Sequence, residues 1–196
     1  MGEFPLFGSK SILRSQQFDR ERLQRIFSLT DTVKKLQSTD AGRKRLKQTL
    51  SERQAFLVFY EPSTRTRFSF NAAALQLGMD IVETENAGEF SSAIKGETLE
   101  DTMRVMCEYR PSVIVLRHPE NGSAERAATV SESYGIHLIN GGDGKGQHPT
   151  QALLDLYTVQ AHFGRLDELT VIMGGDLKNG RTIRSLAYLL SKFEKI

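Results

Sequence analysis

A chain of 196 residues, 39% hydrophobic and 26% charged, is long enough for one globular domain and part of a second. A net charge of +2 gives no reason to expect a nucleic-acid partner, and no apolar run approaches the ~20 residues of a membrane span. The single cysteine, Cys107, excludes an intrachain disulfide; among Met103, Val105, Met106 and Tyr109 it reads as a buried, inert thiol in a reducing, cytoplasmic setting.

The opening MGEFPL has no signal-peptide pattern. From Asp19 to Leu36, Leu23, Ile26, Phe27, Thr30, Val33 and Leu36 recur at helical spacing, so an amphipathic helix is predicted. The basic run AGRKRLKQTL (41–50) is short and has no interleaved aromatics, which favours a solvated helix face or loop over a nucleic-acid contact. Strand-like runs then fall at 55–60, 80–84, 112–116 and 136–139, with helical patterns at 64–77, 98–109 and 123–134 between them. Within the first of these helices Phe68, Ala72 and Leu75 give an apolar stripe, and Gly78 a C-cap. Alternation at this spacing predicts an α/β fold, a parallel sheet with helices on both faces.

A long helix at 148–162 follows, then a strand, LTVIMG (169–174), and a helix near 181–193. One strand and one helix cannot close a core. Residues 1–147 are therefore expected to form a first domain, 148–164 an interdomain helix, and 165–196 the first βα unit of an incomplete second α/β domain. Ile183, Leu186, Leu189, Leu190 and Phe193 should then lack partners within the chain, leaving this segment mobile or covered by another chain.

Polar clusters sit where the strands end, the place at which parallel sheets bind ligands. The first is PSTRTR (62–67), with Ser63, Thr64, Arg65, Thr66 and Arg67 where a strand gives way to a helix. Helix N-termini carry open N–H groups and a partial positive charge, so this reads as an anion-binding turn. An ordinary capped helix with solvated arginines is the plainer alternative. The second cluster is Arg117-His118-Pro119, and the third is GGDGKGQHPTQ (141–151), containing His148 and Gln151. GGDGKG lacks the full P-loop pattern, and no acidic pair, serine triad or metal-ligand spacing accompanies it. A crevice rich in donors and poor in nucleophiles suits a small phosphorylated carbonyl compound attacked by a second substrate.

PSTRTR, VLRHPE, SSAIKGETLEDT, INGGDGKGQHPTQALLDLYT and GDLKNGRT, in this order, resemble the motifs of the transcarbamoylase family, and most closely those of its aspartate-accepting members. The resemblance runs from about Ser11 to the C-terminus. It implies that Ser63, Thr64, Arg65 and Thr66 hold the phosphate of carbamoyl phosphate, with Arg65 neutralising the departing phosphate. Thr66, Arg117 and His148 would polarise the carbonyl, and Gln151 would hold the carbamoyl nitrogen. Arg117 near His148 would favour the neutral imidazole by disfavouring a second charge. Arg181 matches a residue that contacts L-aspartate. Ser91 and Lys95 resemble loop residues that reach a neighbouring subunit's site in a homotrimer. Where many relatives have two adjacent lysines this chain has Ile94-Lys95, so Lys95 also reads as a solvated loop lysine.

The implied reaction transfers the carbamoyl group to the amine of L-aspartate, an early step of pyrimidine synthesis, with no metal or organic cofactor. A regulatory subunit is left open. In the family a further C-terminal half supplies most aspartate contacts, so this chain alone is expected to turn over poorly or not at all. The alternatives are another amine acceptor such as ornithine, or a non-catalytic carbamoyl phosphate-binding module.

Overall fold

The computed structural model describes residues 11–85, 87 and 96–196. Four strands form one parallel sheet: β1 Gln54–Phe59, β2 Asp80–Thr84, β3 Val113–His118 and β4 His137–Asp143, in the order β2-β1-β3-β4. Ala55 pairs with Ile81 on one side and Val113 on the other, and Val115 pairs with Ile139. A separate bridge sets Ile12 beside Ile139, where the Ile12 amide donates to the Leu138 carbonyl at 2.8 Å. The N-terminal segment thus covers the β4 edge, which would otherwise expose unpaired backbone groups.

Side chains alternate across the sheet. Phe56, Val58, Ile114, Leu116 and Leu138 pack on one face against Leu99, Met103 and Cys107 of α4 (Leu99–Glu108) and Ala124, Ala127 and Ala128 of α5 (Ser123–Ser133). On the other face Ala55 meets Ala74 of α3 (Thr64–Leu77), while Leu57, Phe59 and Val115 pack with Phe70. Cys107 is buried and burial raises its thiol pKa, which keeps the thiol protonated and inert. The helices-on-both-faces expectation holds.

The expected apolar stripe of α3 does not face inward. Phe68, Ala72 and Leu75 are exposed, with Phe68 at 59%; the helix instead buries Ala74 and half-buries Phe70 and Leu77. The helix is apolar on two sides, and the sheet takes the second. Its end is as expected: Gly78 caps it at φ 86°, where an added Cβ would lie 1.8 Å from the Lys47 carbonyl oxygen.

The N-terminal helix α1 (Arg20–Gln37) begins at Asp19, whose carboxylate accepts from the Arg22 amide at 2.8 Å. The basic run lies in α2 (Asp40–Lys47), which buries only Gly42 and Leu46. A second core joins α1 to α6 (Pro149–Phe163) and α7 (Arg181–Leu190), with Phe18, Leu23, Phe27, Ala152, Leu156, Leu166, Leu189 and Leu190 buried together.

Two expectations for the last segment fail here. Residues 169–174 form no strand, because among the described residues no strand lies beside them to complete a ladder. Their alternation survives without it: Val171 and Met173 turn toward the second core, while Ile172 is 93% exposed. The apolar face of α7 is covered by this chain's own α1 and α6, and Leu189 is fully buried.

Candidate active site

At the carboxyl edge of the sheet a cavity of about 720 Å³ is lined by Ser63, Arg65, Thr66, Arg117, His148, Thr150, Gln151, Asp155, Arg181 and Thr182, among others. The starts of α3, α6 and α7 converge on it. Each helix start presents open N–H groups and the positive end of its dipole.

Ser63 occupies the N-cap position of α3 in extended backbone (φ −158°), yet its side chain makes no capping bond. Among the described residues no hydrogen bond engages its hydroxyl, unlike that of Thr98, which accepts from the Asp101 amide at 3.1 Å to cap α4. Arg65 lines the cavity, and its side chain makes no ion pair or hydrogen bond among the described residues. Arg67, two residues on, pairs with Glu85 at 2.7 Å. PSTRTR thus divides its arginines, one toward the cavity and one spent on structure. Thr64 does not line the cavity, so of the four predicted phosphate contacts three converge there.

Arg117 leaves the end of β3 and donates from Nη1 to the Gly141 carbonyl at 3.1 Å. Arg181, the first residue of α7, donates to the Gly144 carbonyl at 2.5 Å. Both guanidinium groups approach Glu61 Oε2, at 3.5 and 3.6 Å. Burial lowers the pKa of Arg117, with Arg181 adding repulsion and Glu61 opposing it. Glu61, between the strand-like run and PSTRTR, was passed over by sequence reasoning. No local signal marks it, because the cations that meet it, Arg117 and Arg181, come from distant parts of the chain.

The close approach explains one glycine. Gly142 has φ +117°, and an added Cβ would stand 3.0 Å from both Arg117 Nη1 and Arg181 Cζ. Asp143 next to it is buried, and its carboxylate accepts from the amides of Gly122 (3.0 Å) and Gln147 (2.7 Å) and from Asn140 Nδ2 (3.1 Å). These bonds hold the GGDGKGQ turn against the β3–α5 loop and fix the position from which His148 starts α6.

His148 is buried, and its amide donates to Ser185 Oγ at 3.2 Å. Ser185 in turn donates to Gln147 Oε1 at 2.8 Å, tying α7 to this loop. Burial first, then the charges of Arg181 and Arg117, lower the imidazole pKa to about 4. The ring is neutral at physiological pH. Nδ1 lies 3.4 Å from the Thr150 hydroxyl. With that hydroxyl as donor, Nε2 carries the proton and serves as a neutral hydrogen-bond donor. Gln151 Nε2 donates to Asp155 Oδ1 at 2.8 Å. Ser91 and Lys95 lie outside the described residues. Among the described residues no group of three or more His, Cys, Asp or Glu is placed to hold a metal ion, and no helix is long and apolar enough to cross a membrane.

A crevice ringed by helix starts, hydroxyls and three arginines at the carboxyl edge of a parallel sheet gives this α/β fold the chemistry to receive an anion and suits group transfer. A family model for the carbamoyl-phosphate-binding domain of aspartate and ornithine carbamoyltransferases matches residues 10–161, and the chain belongs to that family. It is 50% identical over 190 residues to aspartate carbamoyltransferase 1, chloroplastic, of Pisum sativum, covering 97% of this chain and 47% of that protein. The catalytic subunit of aspartate transcarbamoylase from Methanocaldococcus jannaschii superposes with a TM-score of 0.84 at 41% identity, over 95% of this chain and 58% of that one. The Trypanosoma cruzi aspartate transcarbamoylase in complex with N-(phosphonacetyl)-L-aspartic acid gives 0.84 at 38% identity, over 94% and 54%. The chain spans about half the length of these relatives.

Proposed function

We propose that this chain supplies the carbamoyl-phosphate half of an aspartate carbamoyltransferase, which moves the carbamoyl group from carbamoyl phosphate to the amine of L-aspartate. The observation that carries the reading is the cavity that gathers Arg65, Thr66, Arg117, His148, Gln151 and Arg181 from four separate segments of the chain. Ser63, Arg65, Thr66 and the α3 amides hold the phosphate. Arg117, Thr66 and neutral His148 donate to the carbonyl oxygen, whose negative charge grows as the amine attacks. One such preorganised donor contributes about 2.7–4 kcal/mol of transition-state stabilisation. Arg65 neutralises the phosphate as the bond to it breaks, and Arg181 meets a carboxylate of L-aspartate. Relatives matched here are named for aspartate, which favours it over ornithine as acceptor.

The division at 147 and 164 into a first domain, a connecting helix and a second-domain fragment belongs to the same proposal. So do a homotrimer in which Ser91 and Lys95 enter a neighbour's site, and a cytoplasmic location, although the pea relative is named as chloroplastic. Exposed Phe68 and Leu75 on α3 offer an apolar surface for such a neighbour. Sedimentation velocity tests the assembly, and subcellular fractionation the compartment.

A second reading, a binding module that does not turn over, is favoured by the covered apolar face of α7, which lets this chain close its own core. One experiment addresses both. A radiolabelled carbamoyl transfer assay with aspartate and with ornithine is run beside thermal denaturation with N-(phosphonacetyl)-L-aspartate. Stabilisation by the phosphonate that Arg65→Ala abolishes supports the site. Transfer to aspartate selects the enzyme, and binding without transfer selects the module. An undiminished melting shift in Arg65→Ala contradicts both.

A further inference from the structure

Gln151 and Asp155 stand one turn apart on α6, and both line the cavity. The amide of glutamine has two chemically opposite ends, an oxygen that accepts and a nitrogen that donates. Which end faces a ligand decides what that ligand must be. An ionised carboxyl group offers acceptors only, so the end of Gln151 turned to Asp155 Oδ1, at 2.8 Å, must be Nε2. The other end, Oε1, accepts no hydrogen bond among the described residues. Apart from the Asp155 carboxylate, which Gln151 Nε2 engages, and hydroxyls that can act either way, the cavity presents donors: three arginines, helix-start amides and the neutral imidazole of His148. Gln151 Oε1 is an acceptor among them.

We propose that Asp155 is a positioning residue that sets the substrate specificity of this site, by locking the Gln151 amide with its oxygen toward the ligand. The inference rests on the carbamoyl-phosphate reading above and deepens it. A carbamoyl group carries a carbonyl oxygen, which the donors take, and an NH2, which requires an acceptor. An acyl phosphate presents a methyl or methylene at the same place and offers Oε1 nothing. With the amide reversed, Nε2 would face NH2, donor against donor, and the preference would vanish. Asp155 thus makes the pocket select carbamoyl over acyl phosphates without touching the reacting atoms.

Two stable phosphonates isolate the effect, because they differ only in NH2 against CH3: phosphonoacetamide and 2-oxopropylphosphonate. Their dissociation constants are measured by calorimetry on wild type, Asp155→Asn, Asp155→Ala and Asp155→Glu, with melting curves to confirm folding. Wild type is expected to prefer the amide by about tenfold or more, as sites built to pair a polar group do. Asparagine offers either an oxygen or a nitrogen to Gln151, so the lock is lost in Asp155→Asn as it is in Asp155→Ala. The preference should fall to within about threefold, through weaker amide binding alone. Asp155→Glu keeps an acceptor and should restore part of it. Parallel loss of both ligands, or an unchanged preference in the asparagine variant, overturns the proposal and reduces Asp155 to a helix-surface partner. If wild type binds neither phosphonate, or Arg65→Ala leaves both affinities unchanged, the carbamoyl-phosphate site itself is refuted and the proposal falls with it. Because the isosteric asparagine variant carries the same readout, misfolding of the alanine variant does not blunt the test.

Discussion

The neutrality of His148 has a measurable cost in acid. An unfolded histidine titrates near 6.5, whereas His148 in the fold is lowered to about 4 by burial and by Arg181 and Arg117. The folded pKa lies below the unfolded one, so the native state is penalised for every proton the unfolded chain takes up first. The associated stability is fully present above pH 6.5 and is lost as the pH falls from there toward 4. At about 1.36 kcal/mol per pH unit, the whole loss is roughly 3 kcal/mol. At pH 5 the unfolded histidine is almost fully charged and His148 mostly neutral, and the loss there is about 2 kcal/mol. The perturbation is His148→Gln, which is uncharged throughout. Burial also lowers the pKa of His118, so wild type and variant share that contribution and the difference between them isolates His148. Urea denaturation from pH 8 to pH 5 should therefore cost wild type about 2 kcal/mol more than His148→Gln. NMR of the imidazole should find His148 uncharged at pH 6. Parallel pH profiles for the two proteins, or a His148 resonance titrating near 6.5, would refute the electrostatic account and the neutral donor built on it.

Glu61→Gln leaves the two arginines without their shared carboxylate. Stability should fall by about 1–2 kcal/mol, less than for a fully buried pair because the Glu61 side chain is 31% exposed. Inorganic phosphate should recover part of the melting temperature by restoring negative charge, and an equal deficit with and without phosphate speaks against an anion site there. Gly142→Ala should cost more than about 1 kcal/mol and weaken phosphonate binding in calorimetry, since the backbone conformation and both guanidinium groups oppose a Cβ. Leu189→Ala should lose about 2–5 kcal/mol in urea titrations, while Ile172→Ala stays within about 0.5 kcal/mol. Similar effects at the two positions would contradict the packing of the last segment.

What the sequence disclosed and what it hid follow one physical line. Local signals were readable: β2 at 80–84 and α3 at 64–77 appear where the β-branched run and the helical pattern ending at Gly78 put them, since strand propensity and a glycine C-cap act within a few residues. The clusters that meet in the cavity were readable too, because a parallel sheet carries every strand end to one edge. What failed needed a partner distant in the chain. LTVIMG has the alternation of a strand, but alternation fixes only which side chains turn inward; a ladder needs a second backbone, and Val171 and Met173 found a helical core instead. On α3 two apolar stripes obey the same helical spacing, so only the position of the sheet chooses Phe70 and Ala74 over Phe68 and Leu75. Glu61 shows the same limit inside the site. Its role depends on Arg117 and Arg181, 56 and 120 positions away, and an isolated glutamate before a proline announces neither. The sequence therefore supplies the donors of this crevice, while the fold supplies their polarity: Glu61 draws two cations together, Asp143 fixes where His148 begins its helix, and Asp155 turns the amide of Gln151.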